Sequence, residues 1–144
     1  MGVLPSIEEE FISTGQVRVQ LRPVAMLGEE SDLAAQAAEC ANDQGRFWDF
    51  HDTLYLNQRG ENKGAFLPDN LKRFAEALEL DTAAFDSCLD SDKYASKVRD
   101  DSDAARGMGI TTVPTVYVNG QVVTEATHVE EVRAAIQKAL GSGQ

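Results

Sequence analysis

The segment from Gly109 to Gly120 constrains the fold of this chain more than any other stretch. It reads Gly-Ile-Thr-Thr-Val-Pro-Thr-Val-Tyr-Val-Asn-Gly. This is a short loop, then a β-rich run that begins at Pro114, then an Asn-Gly pair that favours a two-residue hairpin turn. A proline has no N–H to give to a ladder, so Pro114 belongs at the start of the strand or on an edge. The residues alone leave the isomer of the Val113-Pro114 bond open, and trans is the commoner form in folded proteins.

Length and charge restrict the class of protein and its partners. The chain has 144 residues, of which 42% are hydrophobic, enough for one folded domain with a real core. Thirteen Lys and Arg against twenty-four Asp and Glu give a net charge of -11. Such a charge repels phosphate backbones and anionic lipids, so we expect no nucleic-acid partner. No apolar run has the length of a bilayer span, so we expect no membrane insertion.

Hydrophobic periodicity predicts a mostly helical chain. A short amphipathic helix runs to about Thr14. The alternation of apolar and polar residues from Gln16 to Leu27 then predicts a strand with one buried face. Four helical patterns follow, and a longer helix runs from near Ser91 to Gly107 or Gly109. After the hairpin, an apolar stripe that begins at Val129 predicts a last helix.

Several segments, taken in order, resemble one known family. They are Val3-Leu4-Pro5, the aromatic run from Gln44 to Leu54, the run Val98-x-x-Asp101-x-x-x-Ala105-x-x-x-Gly109, and the segment from Gly109 to Gly120. Together they resemble the DsbA-like thioredoxin-fold thiol-disulfide oxidoreductases from Val3 to Leu140. The resemblance implies an α/β, thioredoxin-like fold with an α-helical insertion.

The resemblance also implies a domain organisation. Residues 1–144 form a single DsbA-like thioredoxin domain. Its thioredoxin core comprises residues 3–27 and 109–140, and residues 31–108 form the helical insertion and connecting helix.

The family also implies a binding site and partners. Its members have a cis proline whose backbone faces the redox disulfide and docks the substrate peptide. Carried over, this makes Val113-Pro114 cis and gives substrate binding to Val113, Pro114 and Thr115. The partners would be cysteine-containing polypeptides. The localisation would be extracytoplasmic, in the periplasm or cell envelope.

The catalytic pair of the family is absent from this sequence. In the family, a strand and a Cys-x-x-Cys precede the residues that match Val3 to Pro5. A thiolate at a helix N-terminus attacks a disulfide, and the second cysteine resolves the mixed disulfide. We therefore assign no catalytic residue and expect this chain by itself to be redox-inactive. We interpret it as N-terminally truncated; a start assigned too late, or strand pairing with another chain, would also explain the missing strand.

Cys40 and Cys88 are the two cysteines of the chain. The residues alone leave open two buried thiols or one disulfide. Members of the family can carry a structural cystine that links helices of the insertion, so the resemblance favours a structural disulfide between Cys40 and Cys88. His51 is interpreted as structural and His128 as solvated. Asp101 is interpreted as a helix-surface aspartate, although the family motif also has an acid there.

Three functions remain open. The first is a DsbA-like oxidoreductase domain that exchanges protein disulfides in the full-length parent. The second is a non-catalytic thioredoxin-like module that binds a peptide or a partner subunit. The third is an enzyme like the kappa-class glutathione transferases or related isomerases, which share this fold. We expect no cofactor and no metal site, because the sequence has no His cluster and no zinc-like spacing.

Overall fold

Helices make up most of the chain in this computed structural model, which describes residues 2–142. The helices are α1 (Val3–Ile7), α2 (Glu29–Asn42), α3 (Phe47–Leu56), α4 (Pro68–Ala77), α5 (Thr82–Asp90), α6 (Ala95–Gly107) and α7 (Val129–Ser142). The strands are β1 (Val116–Val118) and β2 (Gln121–Val123). Helix α1 continues directly into a π-helical turn, Glu8–Ile12.

Local sequence signals explain where several helices begin. Pro68 is the first residue of α4, a position where its missing N–H costs nothing. The Asp81 side chain accepts a hydrogen bond from the backbone N–H of Ala84 and so caps α5. Helix α6 begins at Ala95, four residues later than expected from the sequence. Asp92 has a positive φ of 53°, which interrupts the helical path between α5 and α6.

The hairpin agrees with the prediction from Asn119-Gly120. Strands β1 and β2 are antiparallel, with Val116 opposite Val123 and Val118 opposite Gln121. The two turn residues have φ values of 48° and 81°. A type I′ turn requires positive φ at both central residues, and Asn and Gly are the residues that adopt it most readily.

The predicted strand from Gln16 to Leu27 is wrong. Within the described residues, the only sheet has two strands, β1 and β2. The side chains do alternate in their exposure to solvent as predicted: Val17, Val19 and Leu21 are half-buried, and the residues between them are exposed. However, no backbone group from Arg18 to Val24 forms a hydrogen bond to another part of residues 2–142. A strand needs a ladder partner as well as an amphipathic pattern, and this segment has none there.

Two compact units can be separated by their internal contacts. The hairpin unit contains the chain up to Leu21 and from Ile110 onward, and the helical unit is Arg22–Gly109. The core of the hairpin unit consists of Ile7, Phe11, Val123, Val132 and Ile136. The core of the helical unit is larger: it comprises Ala37, Ala38, Cys40, Ala41, Phe50, Leu71, Ala75, Leu80, Phe85, Cys88 and Leu89. Among the described helices, none is both long and apolar enough to cross a membrane.

Candidate functional site

Val113, Pro114 and Thr115 lie at the entrance to β1 and are largely accessible. The Val113-Pro114 peptide bond is cis. The Val113 side chain is 45% exposed, and Pro114 is also exposed. Thr115 is half-buried, and its hydroxyl donates a hydrogen bond of 2.6 Å to the carbonyl of Thr112. This bond ties the loop to the residue that precedes the strand.

Strand β1 has one paired edge and one open edge within residues 2–142. Val118 and Gln121 flank the two-residue turn, and in such a hairpin the flanking residues are hydrogen-bonded to each other. The next pair, Tyr117 and Val122, then directs its backbone N–H and C=O groups away from the partner strand. The side chains of Val116 and Val118 pack against the core of the hairpin unit. The backbone of Tyr117 is therefore available for hydrogen bonds to an extended chain.

The structure joins Cys40 and Cys88 in a disulfide that links α2 to α5. The Cα atoms are 5.9 Å apart, and 48 positions separate the residues in sequence. Cys40 is 1% exposed and Cys88 is 8% exposed, and both belong to the core of the helical unit. Attack on a disulfide requires access to a sulfur atom, so burial makes this bond a poor participant in exchange.

A charged cluster covers the disulfide on the side of Cys88. Asp43 Oδ2 lies 4.0 Å from Cys88 Sγ. Lys93 Nζ donates to the same carboxylate at 2.6 Å, and the Tyr94 hydroxyl also donates to it. These hydrogen bonds, the one from Lys93 first, lower the pKa of Asp43. The hydrogen bond to Asp43 in turn raises the pKa of Tyr94.

The two histidines occupy different environments. His51 is half-buried among aromatic rings, with ring centroids 5.3 Å from Trp48 and 4.7 Å from Tyr55. Its Nδ1 lies 3.0 Å from Asp52 Oδ1. His128 is exposed, and its Nδ1 lies 3.1 Å from Glu125 Oε2. Within residues 2–142, the side-chain hydrogen-bond partner of each histidine is a carboxylate, Asp52 for His51 and Glu125 for His128.

Asp101 forms part of an ion-pair network on α6. Lys97 Nζ donates to Asp101 Oδ2 at 2.7 Å and to Glu39 Oε1 at 3.1 Å. Burial lowers the pKa of Lys97, but the hydrogen bonds to Asp101 and Glu39 outweigh burial and leave the pKa raised. Asp101 thus helps to neutralise Lys97. The same lysine also forms an ion pair with Glu39, which is 7% exposed.

Sequence reasoning missed the role of Glu30. This glutamate is 8% exposed, and its carboxylate accepts hydrogen bonds from the backbone N–H groups of Gly64 and Phe66 at 2.7 and 2.9 Å. It thereby fixes the loop between α3 and α4. Glu30 lies in the first turn of α2, where an acidic residue is common, so nothing local indicated a contact more than thirty positions away.

The predicted site residues fall into two groups. Val113, Pro114 and Thr115 lie together in the hairpin unit, and Cys40 and Cys88 lie together in the helical unit. Within residues 2–142, no group of three or more His, Cys, Asp and Glu side chains is arranged to hold a metal ion.

Comparisons with known proteins identify the family. A protein-family model described as Thioredoxin matches residues 2–138. Disulfide bond formation protein D of Bacillus subtilis (strain 168) is 32% identical over 141 residues, which are 96% of this chain and 64% of that protein. The oxidised crystal structure of BdbD from Bacillus subtilis superposes with a TM-score of 0.86 at 32% identity and covers 95% of this chain and 76% of that chain.

A relative of another kind matches the same span. The Na(+)/H(+) antiporter NhaA 3 of Salinispora tropica is 32% identical over 142 residues, which are 97% of this chain but 21% of the antiporter. This chain therefore spans less than two thirds of the length of these curated relatives. The match of the family model and the superposition on BdbD confirm the predicted thioredoxin-like fold with helical content. The chain belongs to the thioredoxin family, as a DsbA-like member.

Proposed function

We propose that this chain carries the substrate-docking part of a DsbA-like thiol-disulfide oxidoreductase that acts on cysteine-containing polypeptides. One observation carries the proposal: the open edge of β1 directly follows the exposed Val113-Pro114 pair. An extended peptide can add to such an edge through main-chain hydrogen bonds. Val113, Pro114 and Thr115 would then contact the peptide next to its cysteine.

Disulfide exchange requires a thiolate that attacks one sulfur of the substrate disulfide and releases the other sulfur as a thiolate. In the proposed function, a Cys-x-x-Cys pair elsewhere in the parent protein supplies that nucleophile. Cys40 and Cys88 do not supply the attacking thiolate, because they are buried and bonded to each other. In this proposal, residues 1–144 therefore bind the substrate and do not oxidise it.

A peptide titration followed by NMR tests the docking edge. The probe is an extended peptide whose cysteine is replaced by serine, so that binding is measured without chemistry. We expect saturable shifts at the amides from Thr115 to Val118. Tyr117→Pro removes one outward N–H and should weaken binding by about two- to tenfold, the range for one net hydrogen bond. Val122→Pro is the matched control, because it removes the corresponding N–H from β2 instead.

Two results would contradict the docking edge. The first is equal loss of affinity in the Tyr117→Pro and Val122→Pro variants. The second is shifts that avoid Thr115 to Val118 in the wild-type chain. Insulin reduction supplies a separate check on the chemistry: turnover by this chain alone would show that it does not need a Cys-x-x-Cys pair.

We also propose an extracytoplasmic setting, in the periplasm or cell envelope, for the parent protein. Support comes from the Cys40–Cys88 bond, because disulfides persist mainly in oxidising compartments. Alkylation of thiols in intact cells, followed by peptide mass measurement of Cys40 and Cys88, tests this setting. Alkylation of both Cys40 and Cys88 in the mature protein would contradict it.

The division into two units supports a corresponding domain proposal. In it, one DsbA-like domain consists of a thioredoxin core, residues 3–27 and 109–140, and a helical insertion with its connecting helix, residues 31–108, which falls within the helical unit. Limited proteolysis tests this proposal. Cleavage should concentrate near Leu21–Arg22 and Gly109–Ile110, where the units meet along the chain.

A second candidate is a module that binds a partner without redox chemistry. The match to about one fifth of a Na(+)/H(+) antiporter favours it, because there a stretch similar to this chain belongs to a much longer protein. The coding sequence upstream of Met1 discriminates between the candidates. A Cys-x-x-Cys a few residues before Val3 would support the oxidoreductase, and an upstream stretch without cysteine would support the binding module.

A further inference from the structure

A cavity of about 320 Å³ lies between α4 and the loop that connects α3 to α4. Three basic side chains line it: Arg59, Lys63 and Arg73. The amide side chains of Asn57 and Asn70 also line it, and no acidic side chain does. The cavity lies within the helical unit.

The charge of this cavity is opposite to that of the chain. The net charge is -11, with only thirteen Lys and Arg in total. Six of the thirteen basic residues form ion pairs within residues 2–142, including Lys72, Lys93 and Arg133. Arg59, Lys63 and Arg73 form no salt bridge within residues 2–142, although all three are exposed. Like charges repel one another, so three basic side chains around one cavity leave a local positive potential there.

The loop that carries Arg59 and Lys63 is held in place by several hydrogen bonds of its backbone and side chains. The Glu30 carboxylate accepts hydrogen bonds from the backbone N–H groups of Gly64 and Phe66. The Asn70 side chain donates to the carbonyl of Gly64 at 2.9 Å. The Asn62 side chain donates to the carbonyl of Leu27 at 2.9 Å. A site that is fixed before a ligand arrives loses less conformational entropy on binding.

We propose that this cavity binds a small organic anion with at least two charged oxygens, either a phosphate ester or a di- or tricarboxylate. Two guanidinium groups can each offer paired N–H donors to a phosphate or carboxylate, and Lys63 adds a third charge. The volume of the cavity lies at the lower end of the range for small-molecule sites, so it exceeds what a single inorganic phosphate needs. The site is independent of the proposed docking edge.

The test is an NMR titration of the isotope-labelled chain at low ionic strength. The probes are glycerol 3-phosphate, citrate and inorganic phosphate, each added separately. We expect saturable shifts at Gly64, Ala65 and Asn70 for at least one of the two organic anions, and weaker binding of inorganic phosphate. The tighter of the two organic probes identifies the source of the charge, phosphate ester or carboxylate.

A triple variant and a matched control show whether the cavity itself binds the anion. Arg59→Ala, Lys63→Ala and Arg73→Ala together should weaken binding by about tenfold or more, since one exposed ion pair is worth up to about fivefold. The control combines Arg18→Ala, Arg99→Ala and Lys138→Ala, three exposed cations that do not line the cavity. It changes the net charge by the same amount and should leave binding within about twofold.

Three results would overturn the proposal. The first is equal loss of affinity in the control. The second is the absence of saturable shifts at the cavity for both organic anions. If the triple variant loses its helical circular-dichroism signal, the single variant Arg73→Gln replaces it, with an expected loss of about threefold. Unchanged affinity in a folded Arg73→Gln variant would be the third overturning result.

Discussion

The helical unit and the hairpin unit satisfy their backbone hydrogen bonds in different ways. In the helical unit, α2 to α6 pair their N–H and C=O groups locally, four residues apart, so each helix is complete in itself. In the hairpin unit, β1 and β2 are three residues long and pair only with each other within residues 2–142. A two-stranded hairpin is marginal by itself in water. The hairpin of β1 and β2 therefore depends more on side-chain packing against α7 and α1.

The core of the helical unit is also more completely buried than the core of the hairpin unit. Phe50, Leu71 and Phe85 are fully buried in the helical unit, and a disulfide crosses its core. The most buried side chain of the hairpin unit, Ile7, keeps 2% of its surface exposed, and Val123 keeps 8%. Elements that carry binding sites tend to come from the less stable parts of a structure. The comparison therefore agrees with docking at β1 and a purely structural role for Cys40–Cys88.

A matched pair of phenylalanine truncations tests this comparison most strongly. Phe50 is fully buried, with its ring centroid 5.3 Å from that of Phe85, and Phe11 is 7% exposed. Phe50→Ala should lower the free energy of unfolding by about 4–5 kcal/mol, because a rigid, cross-linked core relaxes little around a cavity. Phe11→Ala should cost about 3 kcal/mol or less, since the hairpin unit can collapse further.

Urea denaturation followed by circular dichroism measures both losses, and hydrogen exchange assigns each loss to a unit. Phe50→Ala should reduce protection in α2, α4 and α5, and Phe11→Ala should reduce it in α7 and the hairpin. A larger cost for Phe11→Ala than for Phe50→Ala would contradict the comparison of the two cores.

Reduction of Cys40–Cys88 should have the next largest effect. By the chain-entropy model, a cross-link across a separation of 48 positions stabilises the fold by about 4 kcal/mol, less any strain. The loss should appear in the helical unit as lower hydrogen-exchange protection of α2 and α5. The amides of β1 and β2 should change little.

The double variant Cys40→Ala with Cys88→Ala is the control for reduction. Its stability should not respond to reductant, and it should resemble that of the reduced wild-type chain. If the reductant instead lowers hydrogen-exchange protection mainly in the hairpin unit, the claim that the disulfide stabilises the helical unit is wrong.

Patterns that depend on near neighbours in sequence predicted most of the fold. The third of the four helical patterns predicted after Leu27, which contains the apolar residues Leu71 and Phe74, correctly indicated α4. Asn119-Gly120 correctly indicated the hairpin, and both signals operate within a few residues. The strand predicted at Gln16–Leu27 was wrong because strand formation also depends on a distant partner. The alternation indicates which side chains face inward, but it does not show whether another strand lies alongside to form a ladder.

The candidate sites also divide into one formed by neighbours in sequence and one formed by residues that are distant in sequence. Val113, Pro114 and Thr115 are adjacent in sequence, so one motif was enough to single them out. The cavity with Arg59, Lys63 and Arg73 forms only because α4 folds back beside the preceding loop. Glu30 reaches that loop across a separation of 34 positions to Gly64. A single sequence carries no local signal for such distant contacts, so packing alone revealed them.

The smallest expected effect concerns acid stability beside the disulfide. The hydrogen bonds from Lys93 and Tyr94 lower the pKa of Asp43 below its ordinary value of 3.8. A carboxylate with a lowered pKa stabilises the folded state above its unfolded pKa, and this contribution is lost as pH falls through the folded pKa. Because Asp43 is exposed, we expect Asp43→Asn to cost only about 0.2–1 kcal/mol at neutral pH.

The difference between Asp43→Asn and the wild-type chain should shrink as the pH falls from about 5 to about 3, where the carboxylate of the unfolded chain takes up its proton. Urea midpoints measured across that range give the difference directly. Asp100→Asn is the control, since Asp100 is an exposed aspartate on α6 without a hydrogen-bond partner in residues 2–142. A difference for Asp43→Asn that grows toward low pH would reverse the sign of the argument. In that case, Lys93 and Tyr94 do not favour the ionised carboxylate beside Cys88.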